Sequence, residues 1–103
     1  MPESRSGTDP VKVKSYRAAH ILLKAKYEAE DLLIKLHGGS DFEVLARRFS
    51  TCTSAAKGGD LGEFKIDQAD MEFEEATLEL KIGEITKTPV RTRFGYHLIK
   101  RLG

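Results

Sequence analysis

Three side chains in this 103-residue chain could do chemistry together: His20, Cys52 and His97. Two imidazoles and a thiol admit a metal site, a thiol nucleophile with its base, or a hydrogen-bonded pair of neutral histidines. A metal site has little behind it, because neither HExxH nor CxxC spacing is present. A cysteine hydrolase built on Cys52 also lacks any local signature around its nucleophile, and no evident helix N-terminus stands behind Cys52 to activate it. The histidines offer more. His20 lies in Ala19-His20-Ile21-Leu22-Leu23-Lys24 and His97 in Phe94-Gly95-Tyr96-His97-Leu98-Ile99-Lys100. Both stretches have the apolar and aromatic run of a short buried strand. Side chains alternate along a strand, so His20 shares a face with Leu22 and His97 with Ile99. If the two strands are neighbours, the imidazoles meet on one face of a sheet.

The elements that must hold them follow from the pattern. Residues 1–14 are polar, with Pro2, Gly7 and Pro10, and read as a flexible tail; Lys12, Lys14 and Arg17 at its end make only a weak basic arm. A strand covers 17–24. Ala29, Leu32, Leu33 and Leu36 then recur at helical spacing, and Gly38-Gly39 ends that helix. Ser40-Asp41-Phe42-Glu43 reads as a capping box with Ser40 as the cap, opening a helix with the apolar stripe Phe42, Leu45, Ala46 and Phe49. Residues 50–59 form a loop with one helical turn, and Asp60–Phe64 a short strand. A further helix is expected from Asp70 to Leu80, stopped by Gly83. Strands over 85–91 and 95–102 are joined at Arg93-Phe94-Gly95. The order β-α-α-(α)-β-α-β-β defines an α+β domain, a small sheet covered by helices.

Composition excludes more than it selects. Seventeen basic residues against sixteen acidic ones leave no charge imbalance to favour nucleic acid or an anionic membrane. No apolar run reaches the ~20 residues of a membrane span, and the N-terminus has no apolar signal core. A single cysteine forms no internal disulfide, which fits a reducing compartment and gives the expectation of a cytoplasmic protein.

Four blocks carry a resemblance: Ala19–Leu23, Phe49-Ser50-Thr51-Cys52-Thr53-Ser54, Gly58-Gly59-Asp60-Leu61-Gly62-Glu63-Phe64, and Phe94–Lys100. In this order and spacing, over roughly residues 16–103, they resemble the parvulin-type peptidyl-prolyl isomerases. The resemblance implies a four-stranded antiparallel sheet surrounded by about four helices, spanning 15–103. It implies rotation about Xaa-Pro bonds in client proteins, with no cofactor or metal, by a monomer. His20 and His97 match the facing histidines of that family, Cys52 the Cys-or-Asp position beside the substrate carbonyl, and Thr92 and Ser50 the polar positions around the histidine pair. Leu61, Phe73 and Phe94, with Gln68 and Ala69, match the proline pocket. Each also has a plain structural reading, the histidines as partners tying two strands together and Cys52 as a small buried apolar side chain.

Two departures stand out. The family pattern Gly-Gln-Met-Val-x-x-Phe is here Asp67-Gln68-Ala69-Asp70-Met71-Glu72-Phe73, so Ala69 replaces the pocket methionine and Met71 points off that face. The pocket is expected to be shallower on one side and its grip on proline weaker. The connection after the first strand is only Lys24-Ala25-Lys26-Tyr27, without the basic loop that suits a phosphorylated residue. Phosphate dependence is therefore not expected, and a broad range of residues before proline is. The alternative to an isomerase is a binding module of the same fold that holds proline-containing segments with little turnover.

Overall fold

A computed structural model describes residues 13–103. The tail expected over 1–14 lies, up to residue 12, outside the described residues. Lys14 is already tied down: its carbonyl accepts from the Ile66 N–H at 3.3 Å. Four antiparallel strands form one sheet, β1 (Ser15–Leu23), β2 (Asp60–Lys65), β3 (Val90–Thr92) and β4 (Gly95–Arg101), in the order β2-β1-β4-β3. Three α-helices, α1 (Lys26–His37), α2 (Phe42–Phe49) and α3 (Met71–Leu78), and a 3-10 turn at Thr53–Lys57 surround it. The expected α+β fold and element order are present, the fourth helix being the 3-10 turn.

Strand alternation divides the core in two. Ala19, Ile21 and Leu23 of β1 and Leu98 of β4 pack with Ala29, Leu32, Leu33 and Leu36 of α1 and Phe42, Leu45 and Ala46 of α2. Tyr16 and Ala18 of β1 and Ile99 of β4 face the other way, toward Phe73 of α3. The helical stripe expected on α2 thins at its end, where Phe49 is 39% exposed.

Several boundaries differ from the expected ones for identifiable reasons. The cap of α2 is Asp41 rather than Ser40: its Oδ1 accepts from the N–H groups of Glu43 (2.8 Å) and Val44 (3.2 Å), and a carboxylate there also faces the positive end of the helix. Ser40 instead closes α1, its N–H donating to the Lys35 carbonyl at 2.9 Å, while Gly39 takes the positive φ of 108°. Helix α3 stops at Leu78, before Leu80 and Gly83. Arg101 of β4 donates to the carbonyls of Leu80 (2.8 Å) and Leu78 (3.4 Å), satisfying groups the helix end leaves unpaired. The strand expected over 85–91 is split. Ile85 forms a single bridge with Lys100, the chain bends at Lys87-Thr88, and pairing resumes only at Val90, after Pro89, which has no N–H for a ladder.

Candidate active site

The register of β1 against β4 pairs His20 with Ile99 and Leu22 with His97. All four side chains therefore share one face, and the two histidines are diagonal neighbours. Their rings lie 5.0 Å apart, with the Nδ1 atoms at 2.8 Å, although 77 residues separate them in sequence. The Thr92 hydroxyl, on β3, lies 2.6 Å from His97 Nε2 and also accepts from the Phe94 N–H at 3.1 Å. Phe73 meets both imidazoles edge-on, at centroid distances of 5.9 and 5.4 Å.

This chain of contacts constrains the protons. One Nδ1 must carry a hydrogen and the other must accept it. If Thr92 donates to His97 Nε2, then His97 Nδ1–H donates to His20, and His20 Nε2 carries an N–H. If His97 Nε2–H donates to Thr92, the order reverses and the Thr92 hydroxyl is free to donate. The relay thus has one uncommitted donor, at either end. His20 Nε2 is buried without a partner among the described residues. Both imidazoles are held neutral, their pKa values lowered to about 4. Burial is the main cause for each; His20 is pushed further by the neighbouring His97, whereas Asp70 acts on His97 in the opposite sense.

A cavity of about 360 Å³ opens above the pair. Nine of the ten residues expected at the site line it: His20, Cys52, Leu61, Gln68, Ala69, Phe73, Thr92, Phe94 and His97. Ala69 stands where the pattern places methionine, and Met71 points to solvent, 70% exposed, as expected. Phe94, 61% exposed, stands at the rim. The exception is Ser50. Its Oγ accepts from the N–H groups of Leu22 (3.0 Å) and Cys52 (3.3 Å) and has no bond to a histidine. The cause lies in the sheet edge. Beyond Ala19, β2 no longer pairs with β1, and the loop takes its place: Gly59 accepts from His20 N–H at 2.9 Å, and Thr51 N–H donates to the Leu22 carbonyl at 2.8 Å. That close approach explains Gly59, where an added Cβ would lie 2.5 Å from the His20 carbonyl oxygen and φ is +89°. Ser50 therefore positions the loop that carries Cys52.

Burial pushes the Cys52 thiol up in pKa, but hydrogen bonding to Ser54 and Thr53 outweighs it, and the net shift is downward. Among the described residues, no group of three histidine, cysteine or acidic side chains could hold a metal ion.

Four lining residues escaped the sequence reading: Leu22, Phe64, Asp70 and Arg93. Leu22 was within reach, since alternation already set it on the His20 face. Asp70 replaces the valine of the family pattern and could have been noticed as Ala69 was. Nothing local marks Phe64 or Arg93; only the folded chain brings them to the pocket.

A four-stranded sheet presenting two hydrogen-bonded histidines into an apolar cavity defines a prolyl-isomerase architecture. The family model described as Rotamase, PPIC-type PPIASE domain, matches residues 11–102. The chain is 50% identical over 86 residues to the foldase protein PrsA of Bacillus subtilis, covering 82% of this chain but 29% of that protein. The crystal structure of the peptidylprolyl isomerase PrsA from Bacillus anthracis superposes with a TM-score of 0.86 at 39% identity, over 97% of this chain and 46% of that one. The parvulin NmPin of Nitrosopumilus maritimus gives 0.75 at 37% identity, over 87% of this chain and 97% of that one. The chain belongs to the parvulin-type, PPIC-type peptidyl-prolyl isomerase family, and spans under a third of the length of the PrsA foldase it matches.

Proposed function

We propose that this domain catalyses cis/trans rotation about Xaa-Pro bonds of client polypeptides and so assists their folding. The observation that carries the reading is the Thr92–His97–His20 relay at the floor of an apolar cavity. Rotation must overcome the resonance of the C–N bond, a barrier of ~18–20 kcal/mol for peptide bonds. No bond is made or broken, so neither a nucleophile nor a metal is required. Leu61, Phe64 and Phe73 would grip the proline ring while the preceding residue turns. A largely apolar cavity withdraws the water that stabilises the planar, charge-separated amide. As the amide twists, electron density returns to the proline nitrogen, and a donor presented there favours the twisted state over the planar one. The relay offers such a donor at the Thr92 hydroxyl, in the order in which His97 Nε2–H donates to it. Each 1.36 kcal/mol removed from the barrier is a tenfold gain in rate.

Cys52 serves as a polar wall, and Cys52→Asp should keep activity; its abolition would point to a thiol nucleophile. The short link between β1 and α1, now only Lys24-Ala25, supports independence from phosphorylation. The proposed step uses residues of one chain only and so needs no second copy, and a cytoplasmic setting is proposed with it.

The test is NMR exchange spectroscopy on an Ala-Ala-Pro-Phe peptide with catalytic amounts of protein. Cis–trans cross-peaks on a sub-second timescale are expected, against the tens to hundreds of seconds of the unaided reaction. Peptide line shifts without faster exchange would instead make the domain a proline-segment binding module.

A further inference from the structure

The walls of the cavity are largely apolar, yet its lining includes two opposite charges, Asp70 and Arg93, that make no hydrogen bond to the histidine relay. Arg93 occupies the two-residue tip between Thr92, which holds His97, and Gly95, the last β3–β4 pair. Its guanidinium lies 4.9 Å from the Phe94 ring centroid, a stacking that holds it at the rim. Its contact with Asp70 is a single Nη2–Oδ1 approach of 3.5 Å. Committed guanidinium–carboxylate pairs bond at about 2.7–2.9 Å, often through two donors. Arg93 is thus positioned but not consumed: its side chain is 77% exposed, whereas that of Asp70 is 24% exposed.

We propose that Arg93 selects the residue next to the proline, favouring an acidic side chain, with Asp70 holding the guanidinium in place until a substrate carboxylate reaches it. This rests on the reading of the cavity as a proline site. The asymmetry of exposure sets the sign. An approaching carboxylate meets an accessible guanidinium whose one ion pair among the described residues is the 3.5 Å contact with Asp70, and the fork of five N–H groups can serve Asp70 and the substrate together. An approaching ammonium would meet the exposed guanidinium first, because the Asp70 side chain is the less exposed of the two. The breadth expected for the residue beside proline is accordingly narrowed, by charge rather than by phosphate and from the β3–β4 hairpin rather than the β1–α1 link.

Two peptide series test this, Xaa-Pro and Pro-Xaa, each with Glu, Ala or Lys at Xaa. Both exchange rates and chemical-shift titrations are measured for the wild type, Arg93→Gln, Arg93→Lys and Asp70→Asn. In one series, Glu should exceed Lys about three- to tenfold in kcat/KM, in keeping with one solvent-exposed ion pair gained and one repulsion avoided. Arg93→Gln should bring that ratio near one, Arg93→Lys should restore part of it, and Asp70→Asn should raise it. Accelerated exchange with no charge preference in either series, a preference for Lys, or a ratio that survives Arg93→Gln would overturn the proposal and leave the isomerase standing. Titrations favouring Glu without accelerated exchange would support the selection and remove the isomerase. Binding of no peptide would remove both.

Discussion

The two faces of the sheet are built to different rules from the same strands. On one, Ala19, Ile21, Leu23 and Leu98 are sealed under α1 and α2 in an entirely apolar cluster. On the other, one position along, His20, Leu22, His97 and Ile99 face α3, which covers only part of that face and leaves the cavity open. The closed face gains from area removed from water. The open face gives some of that up to place two neutral imidazoles, a hydroxyl and a charged pair along the lining of the cavity. Stability is concentrated on one side of β1 and β4, and reactivity on the other.

The sharpest way to break this contrast is Leu98→Ala. Leu98 is fully buried in the closed face, and its truncation should cost about 2–5 kcal/mol in denaturant unfolding while the folded fraction keeps its rate. A loss of turnover per folded molecule would mean the faces are coupled.

His97→Leu tests the open face. Leaving His20 and Thr92 unpaired should cost about 1–3 kcal/mol, together with most of the activity. The double variant His20→Leu/His97→Leu should recover part of the stability and none of the activity, because no imidazole is then left unpaired. Additive losses in that cycle would show that the 2.8 Å contact carries no coupling.

Acid should act on the open face alone. The folded state holds both imidazoles near pKa 4, against 6.5 for free histidine. Their preference for the neutral form stabilises the fold fully above pH 6.5 and is lost as pH falls from 6.5 toward 4. Melting temperature should therefore decline across that window, and the decline should flatten in the double leucine variant. An identical slope in both proteins would assign it to other groups.

The smallest effect concerns the gap at Ala69. Ala69→Met should deepen the pocket and raise kcat/KM a few-fold, chiefly through KM, as one more apolar side chain closes on the ring. Unchanged or lower efficiency would mean the pocket is already complete without it.

Much of the site was legible because it rests on local periodicity. Alternation alone put His20 with Leu22 and His97 with Ile99, and the family resemblance brought in Leu61, Phe73 and Thr92. Ser50 was misread because its partner is decided by the point at which β2 stops pairing with β1, a property of two strands about forty residues apart. The end of α3 was misplaced for a similar reason: Arg101, more than twenty residues on, satisfies its last carbonyls.

What the sequence by itself determined is which side chains can face the same way, since that depends on a two- or 3.6-residue period within one segment. The tertiary structure alone decided which segments meet, and in what register. A one-residue slip of β4 against β1 would turn His97 away from His20, and only the summed packing of the closed face excludes it. The same packing brings the β3–β4 hairpin over the start of α3, so that Arg93 and Asp70, carried by different elements, meet at the edge of one cavity.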